Sequence, residues 1–423
     1  MLKKDFLFDE ALSNNQDYEM EFLTFPNVEL SKIAEKESWR KEIYRPLYHI
    51  HKWWAIRLGS IFRGIILSAL SKQGSDIWGN FYKIHNFSEK IILDPFMGSG
   101  TTLGEAIKLG AKAIGSDINP VSTFIVKQAF SNISEEELKI EFYKLEQNVA
   151  EKIGHFYRTI DPKTSEKIPV LYYFWVKIVT TPQGEQIPLF SNYIFSQNAY
   201  PKKKPEVKII CPGCWTVISD VYTSTSTVCP KCQIKFNPQI GPVSGQTVIS
   251  KDGTKYKIRN LIPQNGTPLQ HRLYAVMAIQ STGKKIYLPV TDIDLALYKE
   301  AEEQLSKENL PLPLSSVRQG KNTDQARSYN YLAWRDFFNS RQLLCLGYLL
   351  NEILNIEKSS IREQMLCLFS STLEFNNLFC SFKGEGTGAV RHMFSNHILK
   401  PERTPLENSV WGSPQSSGTF STL

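Results

Sequence analysis

KIILDPFMGSGTTLGEAIKLGAKAIGSDINP occupies Lys90 to Pro120, and the α/β class of the chain follows from this segment. Ile91, Ile92 and Leu93 form a short apolar run of the kind that makes a buried parallel strand, broken at Asp94 and Pro95 by a loop of small residues. A helix is expected next. Thr101 or Thr102 can cap it, Leu103, Ala106, Ile107 and Leu109 give it an apolar face, and Gly110 ends it where a left-handed residue is wanted. Ala113, Ile114 and Gly115 read as a second strand, which stops at Asp117. The right-handed crossover of a strand, loop, helix, strand unit places the loop and Asp117 on one sheet edge.

Charge narrows what that edge can bind. Gly98 and Gly100 let the backbone approach a ligand closely, and the helix N-terminus offers free N–H groups to an anion. A phosphate loop of the Walker type needs Lys after its last Gly, whereas Thr101 follows Gly100. A dinucleotide would bring its pyrophosphate against Asp94, like charge to like. S-adenosylmethionine (SAM) fits better: its carboxylate meets the N–H groups, its ammonium lies near Asp94 and its ribose hydroxyls reach Asp117. The alternative is a doubly wound turn that holds no cofactor.

DPFMGSGTT followed by GSDINP resembles the cofactor motif of the DNA amino-methyltransferases, which methylate adenine N6 or cytosine N4. More narrowly, the chain is similar to the bacterial and archaeal DNA methylases that carry a zinc ribbon inside the catalytic domain. The resemblance implies a Rossmann-like α/β methyltransferase sheet interrupted by a mostly β insert with a four-cysteine zinc ribbon. It also implies DNA as partner and SAM held at Asp94, Phe96, Gly98, Gly100, Thr101, Asp117 and Asn119. In such methylases an H-x-W-W-A-R segment ahead of the loop helps form the SAM pocket. Here His51 to Arg57 reads HKWWAIR, so Trp54 and Arg57 are candidates, while Ile56 stands where a first basic residue is usual. The alternative is a tryptophan-rich cap on a packed helix expected to run from Trp53 to Leu70.

At 423 residues the chain is long enough for two or three domains, and its composition is that of a globular protein with a sizeable core. Lys plus Arg exceed Asp plus Glu by seven (49 minus 42), which suits a polyanionic partner. No apolar run reaches membrane-spanning length and no signal-peptide pattern opens the chain, so a cytoplasmic protein without a membrane partner is expected.

The expected organisation is N-terminal helices and the SAM-binding half over 1–160, a β-rich insert over 161–325, and a helical α/β return over 326–423. Residues 1 to about 38 read as surface helix and loop, and Ser134 caps a helix with acidic residues in its first turn. In the insert, Thr181 to Gly184 form a turn, and Leu295, Leu297, Ala301 and Leu305 mark one side of a helix. Within 205–238, Cys211 and Cys214 face Cys229 and Cys232 as two CxxC knuckles, a pattern for structural zinc with no open coordination position. The ribbon is read either as a staple for the insert or as a DNA-backbone contact through Lys202, Lys203, Lys204, Lys231 and Lys235. Cys345, Cys367 and Cys380 read as buried thiols. In the return segment, Arg341 and Gln342 resemble a family stretch. GEGTGAVRHMF reads as a mobile loop, and Arg391, His392, His397, Lys400 and Arg403 as possible lining of a DNA channel.

Amino-methyltransferases also need an acidic or amide residue followed by two prolines and an aromatic, which hold the flipped base. The chain has 22 prolines and no two are adjacent. No catalytic residue is therefore assigned. The expected function is the cofactor-binding part of a SAM-dependent DNA methyltransferase, completed by a catalytic part that is missing or carried on a second polypeptide. A non-catalytic DNA-binding or regulatory subunit, or an inactive truncated methylase, is the alternative; a nicotinamide-dependent oxidoreductase ranks below both.

Overall fold

Helices α1 (Asn27–Trp39) and α2 (Gly59–Leu70) precede strand β1 (Ile91–Asp94); helix α3 (Thr101–Lys108) leads to β2 (Lys112–Gly115), and α4 (Pro120–Ala129) follows. The structure, a computed structural model, describes residues 25–386, 389–395 and 398–423. The chain divides into two compact units, Met1–Ile133 and Ser134–Leu423.

In the first unit, β1 and β2 pair in parallel, Ile91 opposite Lys112 and Asp94 opposite Gly115. Ile66 and Leu67 of α2, Ala106 of α3, and Leu109 form an apolar cluster against which Ile92 and Ala113 pack. That covers one face of the pair. On the other, Leu93 is 65% exposed, and Ile91 and Ile114 are also exposed. The run expected to be buried is thus only half-buried, and only at alternate positions, because side chains along a strand point to opposite faces and, among the described residues of this unit, only one face has a helix layer. Two further expectations are corrected. Helix α2 begins at Gly59, so Trp53 to Leu58 lie outside it, and Gly100, at φ +78°, occupies the N-cap of α3 in place of either threonine. Gly110, at φ +79°, follows α3 as anticipated.

The second unit opens with α5 (Glu135–Leu145), where the Ser134 hydroxyl accepts the Glu137 N–H at 3.4 Å. Its sheet is built on β3 (Lys167–Thr180). A ribbon sheet of β4 (Ile194–Gln197), β5 (Glu206–Ile210) and β6 (Val217–Val221) follows, and then β7 (His271–Ile279) and β8 (Lys285–Pro289). Helices α6 (Asp292–Lys307), α7 (Ser340–Leu354) and α8 (Ser359–Leu373) precede β9 (Leu406–Asn408). The main sheet has the order β8–β7–β3–β9, and all its pairings are antiparallel. Aromatic and aliphatic residues of β3 and β7, including Phe174, Val176, Tyr274 and Met277, form its core. Strand β9, from the segment read as the return, lies in the same sheet as β3 from the segment read as the insert.

The Thr181–Gly184 turn forms as expected, closed by the Gly184 N–H on the Thr181 carbonyl at 2.9 Å. Helix α6 buries Ala301 but exposes Leu295, because Asp294 is the residue turned inward, accepting the Thr291 N–H at 2.8 Å in a capping box. Cys345, Cys367 and Cys380 are buried free thiols. No described helix is long and apolar enough to cross a membrane.

Candidate functional site

The loop between β1 and α3 is shaped by two left-handed glycines. Gly98 has φ +51° and Gly100 φ +78°. A Cβ on Gly98 would lie 3.2 Å from Trp53 Nε1, and one on Gly100 would lie 2.8 Å from Val126 Cγ2. The loop therefore passes under an indole on one side and against α4 on the other, where no side chain fits. Asp94 Oδ1 accepts the Phe96 N–H at 3.0 Å, which turns the chain out of β1. At the end of β2, Asp117 accepts the Gly98 N–H at 2.9 Å through Oδ2 and the Asn119 N–H at 2.9 Å through Oδ1. These backbone donors hold the Asp117 carboxyl below its ordinary range. Ser122 donates to the Gly98 carbonyl at 2.5 Å, and Asn119 caps α4 by accepting the Val121 N–H at 3.0 Å.

The loop leaves donors unused. Ser99 and Thr101 are buried at 7% and 2% exposure, yet no described group accepts their backbone N–H. Buried N–H groups at a helix N-terminus without a partner are costly and favour an anion. A carboxylate fits this position. Phe96 is 85% exposed and Ile118, beside Asp117, is fully exposed, so two bare apolar side chains flank the same edge.

A network of buried charge positions the segment ahead of α2. Glu37 accepts the Gly59 and Ser60 N–H groups at 2.7 and 2.9 Å, a carboxylate capping the α2 N-terminus. Glu105 of α3, with no exposed side-chain surface, accepts from the Tyr48 hydroxyl at 2.8 Å and pairs with Lys108 at 2.9 Å. Arg45 lies between the two glutamates, 3.7 Å from Glu37 and 3.8 Å from Glu105. Of the two tryptophans in this segment, Trp53 packs over Gly98, whereas Trp54 is exposed with Lys52 Nζ 5.2 Å from its ring. Arg57 is exposed and has no ion pair among the described residues. The sequence reading put both tryptophans in the pocket-forming segment and singled out Trp54; it did not name Glu37 or Glu105, for which a glutamate on the apolar face of LGEAIKLG was the one visible sign.

In the second unit, the sulfurs of Cys211, Cys214, Cys229 and Cys232 lie within 4.8 Å of one another. Cys211 Sγ is 3.5 Å from Cys232 Sγ, and Cys214 Sγ is 3.5 Å from Cys229 Sγ. Tetrahedral zinc with Zn–S bonds of about 2.3 Å spaces its sulfurs by about 3.8 Å, so the four thiols fit such an ion. The knuckles repeat each other. Trp215 and Gln233, each following the second cysteine of a pair, share φ near +60°, and their N–H groups bond to the Cys211 and Cys229 carbonyls at 3.0 Å. The Thr216 hydroxyl, 3.1 Å from Cys214 Sγ, draws that thiol below its ordinary range, while burial pushes Cys211 up.

The other sequence candidates do not converge. Arg341 is fully buried against Glu407, Nε to Oε1 at 2.7 Å and Nη2 to Oε2 at 2.9 Å, and Gln342 closes a capping box with Asn339. Both hold structure. Arg403 donates to the Gly245 carbonyl at 2.5 Å, and His392 Nδ1 lies 2.7 Å from Glu374. His397, and Thr387 and Gly388 of the GEGTGAVRHMF segment, lie outside the described residues.

Residues 72–128 match the N6/N4 DNA methylase family. This span contains Asp94, Phe96, Gly98, Gly100, Thr101, Asp117 and Asn119, but not Trp54 or Arg57. A stretch of 59 residues is 41% identical to the Type II methyltransferase M.MjaII of Methanocaldococcus jannaschii, covering 14% of this chain and 11% of that protein. No solved structure matches. The family match spans the glycine loop and its paired aspartates, and the two similarities support a DNA methyltransferase at a coarse level.

Proposed function

We propose that the chain is the cofactor-binding part of a SAM-dependent DNA methyltransferase acting on the exocyclic amine of adenine or cytosine. The observation that carries the reading is the loop itself: unpartnered buried N–H groups at Ser99 and Thr101, with Asp94 and Asp117 at adjacent strand ends, inside the segment that matches DNA methylases. The N–H groups receive the carboxylate of SAM and Asp94 its ammonium. Asp117, already fixed by two backbone donors, accepts from the ribose hydroxyls with its remaining lone pairs. Phe96 and Ile118 offer apolar surface to the purine, and Trp53 shields Gly98 from water. Bound there, SAM supplies an electrophilic methyl group to an amine presented by the flipped base.

The bare outer face of β1 and β2 supports the second half of the proposal. Parallel strands are ordinarily covered on both faces, and Ile91, Leu93 and Ile114 are not. The remaining layer, and with it the proline-pair motif absent from these 423 residues, comes from a further α/β segment outside them. The four-cysteine ribbon holds zinc and has no place in the chemistry.

Titration calorimetry with SAM tests the reading. The intact chain binds SAM, and Asp94→Asn or Asp117→Asn weakens binding by roughly 10-fold or more, as expected for losing a hydrogen bond to a charged group. No SAM binding by the intact chain would favour the non-catalytic alternative. Methylation of DNA by these 423 residues alone would overturn the need for a further catalytic segment.

A further inference from the structure

Beside the zinc knuckles, a groove of about 560 Å³ runs between the ribbon sheet and the β7–β8 hairpin. One wall carries Lys204, from the turn before β5, and Lys208, on β5; the opposite wall carries Lys284 and Lys285 at the start of β8. Two acidic residues also line it, and both are engaged. Glu206 pairs with Lys208 at 2.5 Å, and Glu385 accepts the Tyr287 hydroxyl. Lys204, Lys284 and Lys285 have no ion pair among the described residues, and Lys204 and Lys284 are exposed. The floor holds the ring of Tyr287, whose hydroxyl also accepts from Ser196, and the side-chain amides of Gln197 and Asn198.

Four lysines outnumber two glutamates in the groove, and although Lys284 feels the Glu206 carboxylate across it, the lining keeps an excess of positive charge that suits a polyanion. We infer that this groove binds the phosphate backbone of duplex DNA, with Lys204, Lys284 and Lys285 as phosphate contacts. The choice of polyanion rests on the methyltransferase reading; the groove does not. Its lysine walls come from separate strands, and β5 and β6 are joined through the Cys211–Cys214 knuckle, so the metal site fixes one wall. This differs from a contact through the ribbon tip, because Lys231 and Lys235 do not line the groove.

The test is fluorescence anisotropy of a labelled 20-base-pair duplex with the full chain across a salt series. Changing Lys204, Lys284 and Lys285 together to Ala is expected to lower affinity about 10-fold or more and to reduce the salt slope by close to one phosphate per lysine. Lys231→Ala with Lys235→Ala, outside the groove, is expected to change affinity less than about threefold. Equal losses in both variants, an unchanged slope in the triple variant, or groove-dependent binding of RNA but not DNA would overturn the assignment. Calorimetry with SAM on the same triple variant separates the two proposals. Unchanged SAM binding with lost DNA binding supports both, whereas groove-dependent DNA binding without SAM binding supports the groove and sinks the cofactor reading.

Discussion

Arg341 and Glu407 have no exposed side-chain surface, and their ion pair is completed by hydrogen bonds to Glu407 from Trp175 Nε1 at 2.7 Å and Asn339 Nδ2 at 2.8 Å. The guanidinium also lies 3.7 Å from the centre of the Tyr173 ring. Removing one partner leaves the other charge buried without compensation. Arg341→Met or Glu407→Gln is therefore expected to cost about 3–5 kcal/mol of stability, read by urea denaturation. Neither change should alter SAM affinity per folded molecule. Arg341 was visible in the sequence only as part of a family-like stretch, because its partner lies 66 residues away and no local pattern announces a long-range ion pair. Asp94 and Asp117 were legible for the opposite reason: each closes a short strand of one local unit. That Trp53 rather than Trp54 packs over Gly98 was not legible. Which indole faces the loop depends on where α2 begins, and that is set by Glu37, 22 residues upstream.

At the scale of elements, the two cysteine knuckles were the most legible feature, since spacing alone predicts four converging sulfurs. Cys214→Ser, or exposure to a strong chelator, is expected to release one zinc per chain, measured by elemental analysis, and to abolish amide-exchange protection across β5 and β6. Strand β3 was also legible from its run of aromatic and branched residues, but not the pairing of Lys177 with His271 on β7. Burial lowers the Lys177 ammonium from its ordinary 10.5 to about 7 and His271 from 6.5 to about 3; Glu402 and Arg403 are the other charges near Lys177. Both groups fold in the neutral form, so the unfolded chain binds more protons between each pair of values. Stability should rise with pH from about 3 to 6.5 through His271 and from about 7 to 10.5 through Lys177. Urea unfolding across pH should show His271→Gln flattening the acid window and Lys177→Met the alkaline one.

On the scale of the whole molecule, one face of β1 and β2 carries the exposed Ile91, Leu93 and Ile114. Leu93→Asp is expected to change the stability of the isolated chain by no more than about 0.5 kcal/mol, because the side chain is already exposed. The same change should reduce concentration-dependent self-association in light scattering, since it breaks an apolar strand surface. The continuous apolar run IIL reads as a strand covered on both faces, so the exposed face was not visible in the sequence. The position of β9 raises a different matter, the timing of assembly. Trp175 on β3 meets Glu407 on β9 across 232 residues of chain, and everything between them is synthesised first. At about 5–20 residues per second, β3 waits on the order of ten seconds or more for its last neighbour. During that interval the middle of the longest strand, Tyr172 to Phe174, lacks its β9 partner, while Arg158–Ile160 and Gln186–Pro188 already pair with its ends. The sheet closes around parts already folded, so translation speed, as well as sequence, governs how much of the chain reaches this fold.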